Sequence, residues 1–155
     1  MKYQTVAKVP KMSICVVVAS SSKARVLLAE DAHSPLIENA DYVHPQSRLR
    51  EQDLVSDGSG SAADSGGFGK HSMGHEQASK HKQAELFAQE ISAEIDKLRR
   101  KNDLRRIYLI APPKFLGLLR TSISKQCLEL LHSDVNKELV SHSIEDIRSH
   151  LPKLL

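Results

Sequence analysis

Apolar residues fall along this chain in two rhythms, separated by a long polar interval. From Ile14 to Ala19 every position is apolar (ICVVVA) and valine recurs, which predicts a strand buried on both faces. Ser20, Ser21 and Ser22 form a turn, and Ala24–Ala29 (ARVLLA) predicts a second strand close enough to make a hairpin with the first. After a further turn over Glu30–Pro35, the alternation in Leu36–Val43 predicts a third strand. Three short consecutive strands predict an antiparallel meander. Helical spacing takes over at Ala84, Phe87, Ala88, Ile91, Ile95 and Leu98, with Glu85, Gln89, Glu90 and Glu94 on the opposite side. Acids early and Lys97, Arg99, Arg100 and Lys101 late suit the helix dipole, and Asn102-Asp103 ends the helix.

The second half alternates between the two rhythms. Arg106–Ala111 (RIYLIA) predicts a central fourth strand, stopped by Pro112 and Pro113, which suit the first turn of a helix carrying Phe115, Leu116, Leu118 and Leu119. Ser122 opens a further helical stretch with Ile123, Cys127, Leu128, Leu130 and Leu131 as its apolar side, and Val135–Val140 predicts a fifth strand at an edge. Ser143 and Asp146 have the spacing of an N-cap pair, opening a last helix through Ile144, Ile147 and Leu151. Strands first, then strand and helix in turn, predict a mixed α/β layer fold without internal repeats.

The polar interval from His44 to His81 contains six of the seven glycines and many serines, with few large apolar residues. It cannot build a core of its own, and a structureless stretch of this length is usually functional or disordered. Residues 44–82 therefore read as one long loop region before the longest helix. Residues 1–11 read as a flexible arm and 12–155 as one domain, because 155 residues can bury a real core without staples. A formal charge of +3 permits an anionic partner without requiring one. Cys15 and Cys127 lie in apolar runs with no C-x-x-C spacing, which predicts reduced core thiols. Lys2, Lys8 and Lys11 before the first apolar run imitate a secretory leader, but that run is too short. With no stretch near the ~20 apolar residues of a membrane span, the expectation is a soluble, cytoplasmic protein without a membrane partner.

Gly66, Gly67 and Gly69 followed by Lys70 invite a phosphate-loop reading, since N–H groups exposed at glycines can cradle an anion beside a lysine. The Walker pattern fails, because it needs glycine where Asp64 stands and Ser or Thr where His71 stands. A glycine segment approaching another backbone or RNA closely, and a solvated loop, both remain open. His71 and His75 are four apart, but Ser-Met-Gly between them departs from H-E-x-x-H, so neither metal nor other cofactor is expected. Arg48, Arg50, Lys70, Lys80 and Lys82 flank the glycines, while Glu51, Asp53, Asp57, Asp64 and Glu76 offset them. A nucleic-acid contact here needs folding that separates the signs.

Four stretches together carry a family resemblance: Val16–Leu28 (VVVASSSKARVLL), His44–Asp57 (HPQSRLREQDLVSD), Gly66–His71 (GGFGKH) and Ala111–Arg120 (APPKFLGLLR). The combination of H-P-x-S-R-L-R with A-P-P-x-F-L-G-x-L-R resembles the bacterial host attachment proteins, also called proteins required for attachment to host cells, over roughly residues 12–151. That family looks like a relative of the middle domain of archaeo-eukaryotic peptide-chain release factors. The resemblance implies a ribonuclease H-like mixed sheet of about five strands with flanking helices. In those release factors a Gly-Gly-Gln loop before the long helix helps water attack peptidyl-tRNA; the corresponding place here is Gly66-Gly67-Phe68. Phe68 has no amide to orient water, so the resemblance implies a scaffold without intact hydrolysis chemistry, and the enzyme reading leans towards no. Relatives often carry an acid where this chain has Ser20, which argues against a metal in the sheet.

The resulting expectation is a binding domain that contacts RNA or the translation machinery, a ribosome or tRNA, through residues 44–82. Arg48, Arg50, Lys70 and Lys80 would meet phosphate beside His71, Gly66 and Gly67 would permit close approach, and Phe68 would stack on a base or fill a protein pocket. The alternatives are attachment to host cells and a protein-interaction module anchored by Phe68 and Met73. Oligomeric state is left open.

Overall fold

The computed structural model describes residues 11–44, 69–153 and 155. The apolar runs become strands β1 (Ile14–Ala19), β2 (Lys23–Ala29), β3 (Ile37–Val43) and β4 (Arg106–Ala111), joined by a fifth, β5 (Leu131–Asn136). Among the described residues, four helices follow the meander: α1 (Gly69–Lys101), α2 (Pro113–Ser122), α3 (Lys125–Leu130) and α4 (Ile144–Ser149). The sheet order is β3-β2-β1-β4-β5. β1, β2 and β3 run antiparallel in sequence, whereas β1 and β4, and β4 and β5, are parallel. This is a mixed α/β sheet with flanking helices, consistent with a ribonuclease H-like arrangement.

The lack of polar alternation in β1 follows from its position between two cores. Cys15, Val17 and Ala19 face Phe87, Ala88, Ile91 and Ile95 of α1, together with Phe115 and Leu119 of α2. Ile14, Val16 and Val18 face the opposite side, under Leu36, Leu139, Val140, Ile147 and Leu151. Both sets are excluded from water, so every residue of the strand must be apolar. Cys15 and Cys127 are free, buried thiols of the first core. Burial, with Cys127 nearby, pushes the Cys15 thiol up to about 12.

Three expectations need correction. The loop does not extend to residue 82, because α1 already begins at Gly69 and reaches 33 residues. Its first turns escape a periodicity reading since Glu76, Gln77, Ala78, Lys80, His81 and Lys82 are exposed and no core selects their pattern. Good helix formers among them carry the helix outward, and Gly74 costs only about 1 kcal/mol relative to alanine. The fifth strand occupies Leu131–Asn136 and not Val135–Val140. β4 offers a parallel edge from Ile107 to Ala111, and pairing with that edge outweighs the weak local pattern of LHSDVN. Leu139 and Val140 instead turn under the second core. The stretch opened by Ser122 is divided: α2 ends there, and Ser124 caps α3 by accepting the Cys127 N–H at 3.1 Å. At α4 the predicted cap is present, with Ser143 Oγ accepting from the Asp146 N–H at 3.1 Å.

Candidate functional crevice at the carboxyl end of the sheet

The topology determines where a crevice must open. β1 leads into β2 on one side of the sheet, while β4 leads through α2 and α3 to β5 on the other. Loops leaving the parallel pair β1 and β4 therefore diverge, and open α/β sheets bind ligands at such a switch point. A cavity of about 530 Å³ lies there, between Ser20, Ser21 and Ser22 after β1, Pro112, Lys114 and Phe115 after β4, and Gln77, Lys80 and His81 of α1.

Charge in the crevice is uneven. Lys80 and Lys114 line it and have no carboxylate partner among the described residues, whereas Glu138 is its one acidic lining residue. His81 is engaged elsewhere, with Nε2 at 2.9 Å from Glu85. The start of α2 also borders the cavity, and no side chain caps it. Leu116 donates to the Pro112 carbonyl and Pro113 has no N–H, so the uncapped donors are those of Lys114 and Phe115. Ala84, Phe115 and Leu118 supply apolar surface beside these groups.

The serine turn is built locally. Ser20 Oγ accepts from the N–H groups of Ser22 and Lys23, at 3.3 and 3.2 Å, and Ser20 N–H donates to the Lys23 carbonyl at 2.7 Å. Ser20 thus organises the hairpin and presents no acid to the crevice. Among the described residues, no group of three His, Cys, Asp or Glu side chains could hold a metal ion.

A second cavity, of about 460 Å³, shares Ser20, Ser22 and Glu138 with the first and adds Lys23, Val43 and His44. His44 is 3% exposed. Its Nε2 lies 3.1 Å from Gln83 Oε1, and its ring lies 5.0 Å from that of Phe87, which in turn lies 5.9 Å from Phe115. This row of rings ties the end of β3 to α1 and α2 behind the crevice.

Of the expected site residues whose side chains the structure describes, Lys80 lines the cavity. Arg48, Arg50, Gly66, Gly67 and Phe68 lie outside the described residues, while Lys70 and His71 fall in the first turn of α1. Val43, the last residue of β3, pairs with Lys23 beside the serine turn. Lys114, His44 and Glu138 were missed by sequence reasoning. Lys114 was detectable, since A-P-P-K places it directly after the carboxyl end of a central strand.

A crystal structure of an archaeal translation termination factor is similar at a TM-score of 0.45 and 10% sequence identity, covering 90% of this chain and 35% of the factor. The chain thus spans well under half of that protein's length. No curated protein sequence matches it. Among the described residues, no helix is long and apolar enough to cross a membrane. A family model described as "protein required for attachment to host cells" matches residues 15–151, and the chain belongs to that family.

Proposed function

We propose that the chain is a binding module for RNA, of the kind presented by the translation machinery, with the switch-point crevice meeting the phosphate backbone. The observation that carries this reading is the pairing of Lys80 and Lys114 with the uncapped start of α2 around one cavity. Two cations and two N–H donors favour an oxyanion there, and helix N-termini favour negative charge. Ala84, Phe115 and Leu118 give a sugar or base an apolar surface to rest on. The basic and glycine-rich residues of the 44–68 stretch would extend the contact along the RNA.

Fluorescence anisotropy with single-stranded RNA across a salt series tests the proposal. Lys80→Ala and Lys114→Ala should each weaken binding and reduce the salt slope by about 1, as expected for loss of one phosphate contact. Binding that is indifferent to salt, or to both substitutions, would remove RNA phosphate as the ligand. Co-sedimentation with ribosomes then asks whether that RNA is ribosomal.

The family description favours a second reading, a role in attachment to host cells. Direct adhesion requires the protein outside the cell. Fractionation together with surface labelling of intact cells separates the readings, since an RNA-contacting module should remain with the cytoplasmic fraction.

A further inference from the structure

We infer that the end of the molecule opposite the crevice is a second RNA surface, where Lys11, Arg100, Lys101, Arg105 and Arg106 meet phosphates. The inference takes the class of ligand from the RNA reading above and adds a surface that the crevice does not include.

The first observation is how the fold gathers charge. The Met12 N–H donates to Asn102 Oδ1 at 3.1 Å, the Asp103 N–H to the Met12 carbonyl at 3.2 Å, and the Arg105 N–H to the Ser13 carbonyl at 2.7 Å. Ile14 and Arg106 then open the parallel pairing of β1 with β4. These bonds hold the chain at Lys11 beside the last turn of α1 and the start of β4. This is the amino end of the two strands whose carboxyl ends frame the crevice. Over Lys11 and residues 94–106, seven cations stand against three carboxylates, Glu94, Asp96 and Asp103. That excess is larger than the formal +3 of the whole chain, so the rest of the molecule carries no net positive charge.

The second observation is that this charge is available. Lys11, Arg100, Lys101, Arg105 and Arg106 are all exposed. Among the described residues, Lys11, Lys101 and Arg106 have no carboxylate partner, whereas Arg100 and Arg105 reach Asp96 and Asp103 only at 3.5 and 3.8 Å. The side chains of Arg100 and Arg105 are 63% and 78% exposed, and ion pairs so open to water contribute little. The dipole of α1 accounts for Arg99, Arg100 and Lys101 in its last turn. It does not account for Lys11, Arg105 and Arg106, which lie outside the helix.

Residue type then selects the ligand. A guanidinium is a planar fork that matches phosphate oxygens in pairs. The apolar residues here turn inward: Leu104 is buried in the first core, and Met12 and Leu98 pack against it. An interfacial segment enters a bilayer through apolar side chains, so the exposed cations suit a nucleic-acid backbone better than a lipid surface. Lys80 and Lys101 stand 21 residues apart on α1, with Glu85, Glu90 and Glu94 between them. At the rise of an α-helix this is roughly 32 Å. The two basic surfaces are therefore separate, and an RNA that reaches both must span that distance.

The test uses the full chain and anisotropy with single-stranded RNA across a salt series. Replacing Lys101, Arg105 and Arg106 together by alanine should weaken binding and lower the salt slope by about 2 to 3, the loss of three phosphate contacts. On the unaltered chain, amide NMR resonances of residues 11–13 and 97–106 should shift when RNA is added, a readout that does not depend on the variant folding. A triple variant with unchanged affinity, or amides there that stay in place, overturns the inference; the crevice reading then stands if Lys80→Ala and Lys114→Ala still weaken binding. The converse result, a loss in the triple variant with both crevice substitutions silent, supports the inference and removes the crevice. Failure of the unaltered chain to bind RNA overturns both. Co-sedimentation with phosphatidylglycerol vesicles, abolished in the triple variant while RNA affinity is unchanged, assigns the surface to lipid and likewise overturns the inference.

Discussion

Tyr108 shows at single-residue scale how a core position can be overdetermined by packing and undersatisfied by hydrogen bonding. Its ring is fully buried on β4 in the second core and meets His132 edge-on at 5.4 Å, yet its hydroxyl has no partner among the described residues. A buried unbonded hydroxyl forfeits roughly 1–3 kcal/mol, and removing it leaves the ring's packing in place. Tyr108→Phe should therefore raise stability by about 1 kcal/mol in urea melts; a loss of stability would show that the hydroxyl has a partner in solution. The same scale explains what sequence reasoning could find of the site. Lys80 was readable because it flanks a conspicuous glycine segment. Ser20 and Glu138 come from two separate loops and Lys114 from the first turn of α2, and they meet only through the sheet, so no window of sequence contains them together. His44 reads as the first residue of the polar interval after β3; its burial depends on Gln83 and Phe87, residues contributed by a distant helix.

Element boundaries were legible where one core face imposes a period, and illegible where an element is selected by a partner. β1, β2, β4 and the buried part of α1 announce themselves through continuous apolar runs or helical spacing. β5 is half-exposed and forms because β4 has a free edge, while the outer turns of α1 face solvent. Asp96 makes a comparable long-range link between elements. It lies on α1, accepts from Ser124 Oγ at 3.0 Å and pairs with Arg99 at 3.0 Å, so it clamps the cap of α3 to α1. Partial burial pushes its carboxyl up, but the hydrogen bonds from Arg99 and Ser124 and the charges of Arg99 and Arg100 outweigh that and hold it below the usual carboxylate range. Because it ionises more readily when folded, its stabilisation is complete above the unfolded value of about 4 and is lost as pH falls through the lower folded value. Asp96→Asn should lower Tm at neutral pH, and the gap to the unaltered protein should close on acidification below about pH 4. A gap independent of pH would mean that Asp96 acts through shape alone.

Across the whole molecule the two cores are covered very differently, and this predicts where the structure opens first. One face lies beneath the long α1 with α2 and α3, whereas the other lies beneath Leu139, Val140, Ile147, Leu151 and Leu155 on a segment whose only helix, α4, has six residues. So short a helix has little stability of its own and depends on docking. Arg25 of β2 provides the dock: its guanidinium donates to the carbonyls of Val140 and His142 and is held in place by Glu38 at 2.8 Å. Local opening should follow this asymmetry, since exchange reports the free energy of the smallest unit that must unfold. In hydrogen–deuterium exchange, amides of α4 should exchange well before those of β1 and β4. Arg25→Ala should accelerate the segment from Glu138 to Leu151 selectively, leaving the central strands protected. Uniform acceleration would instead mean that the segment and the sheet unfold as one unit. The consequence reaches the crevice, because Glu138, Val140 and Ser141 form one wall of the His44 cavity. A ligand seated there would brace that wall, and binding should slow exchange in 138–151 even though most of those residues lie away from the crevice.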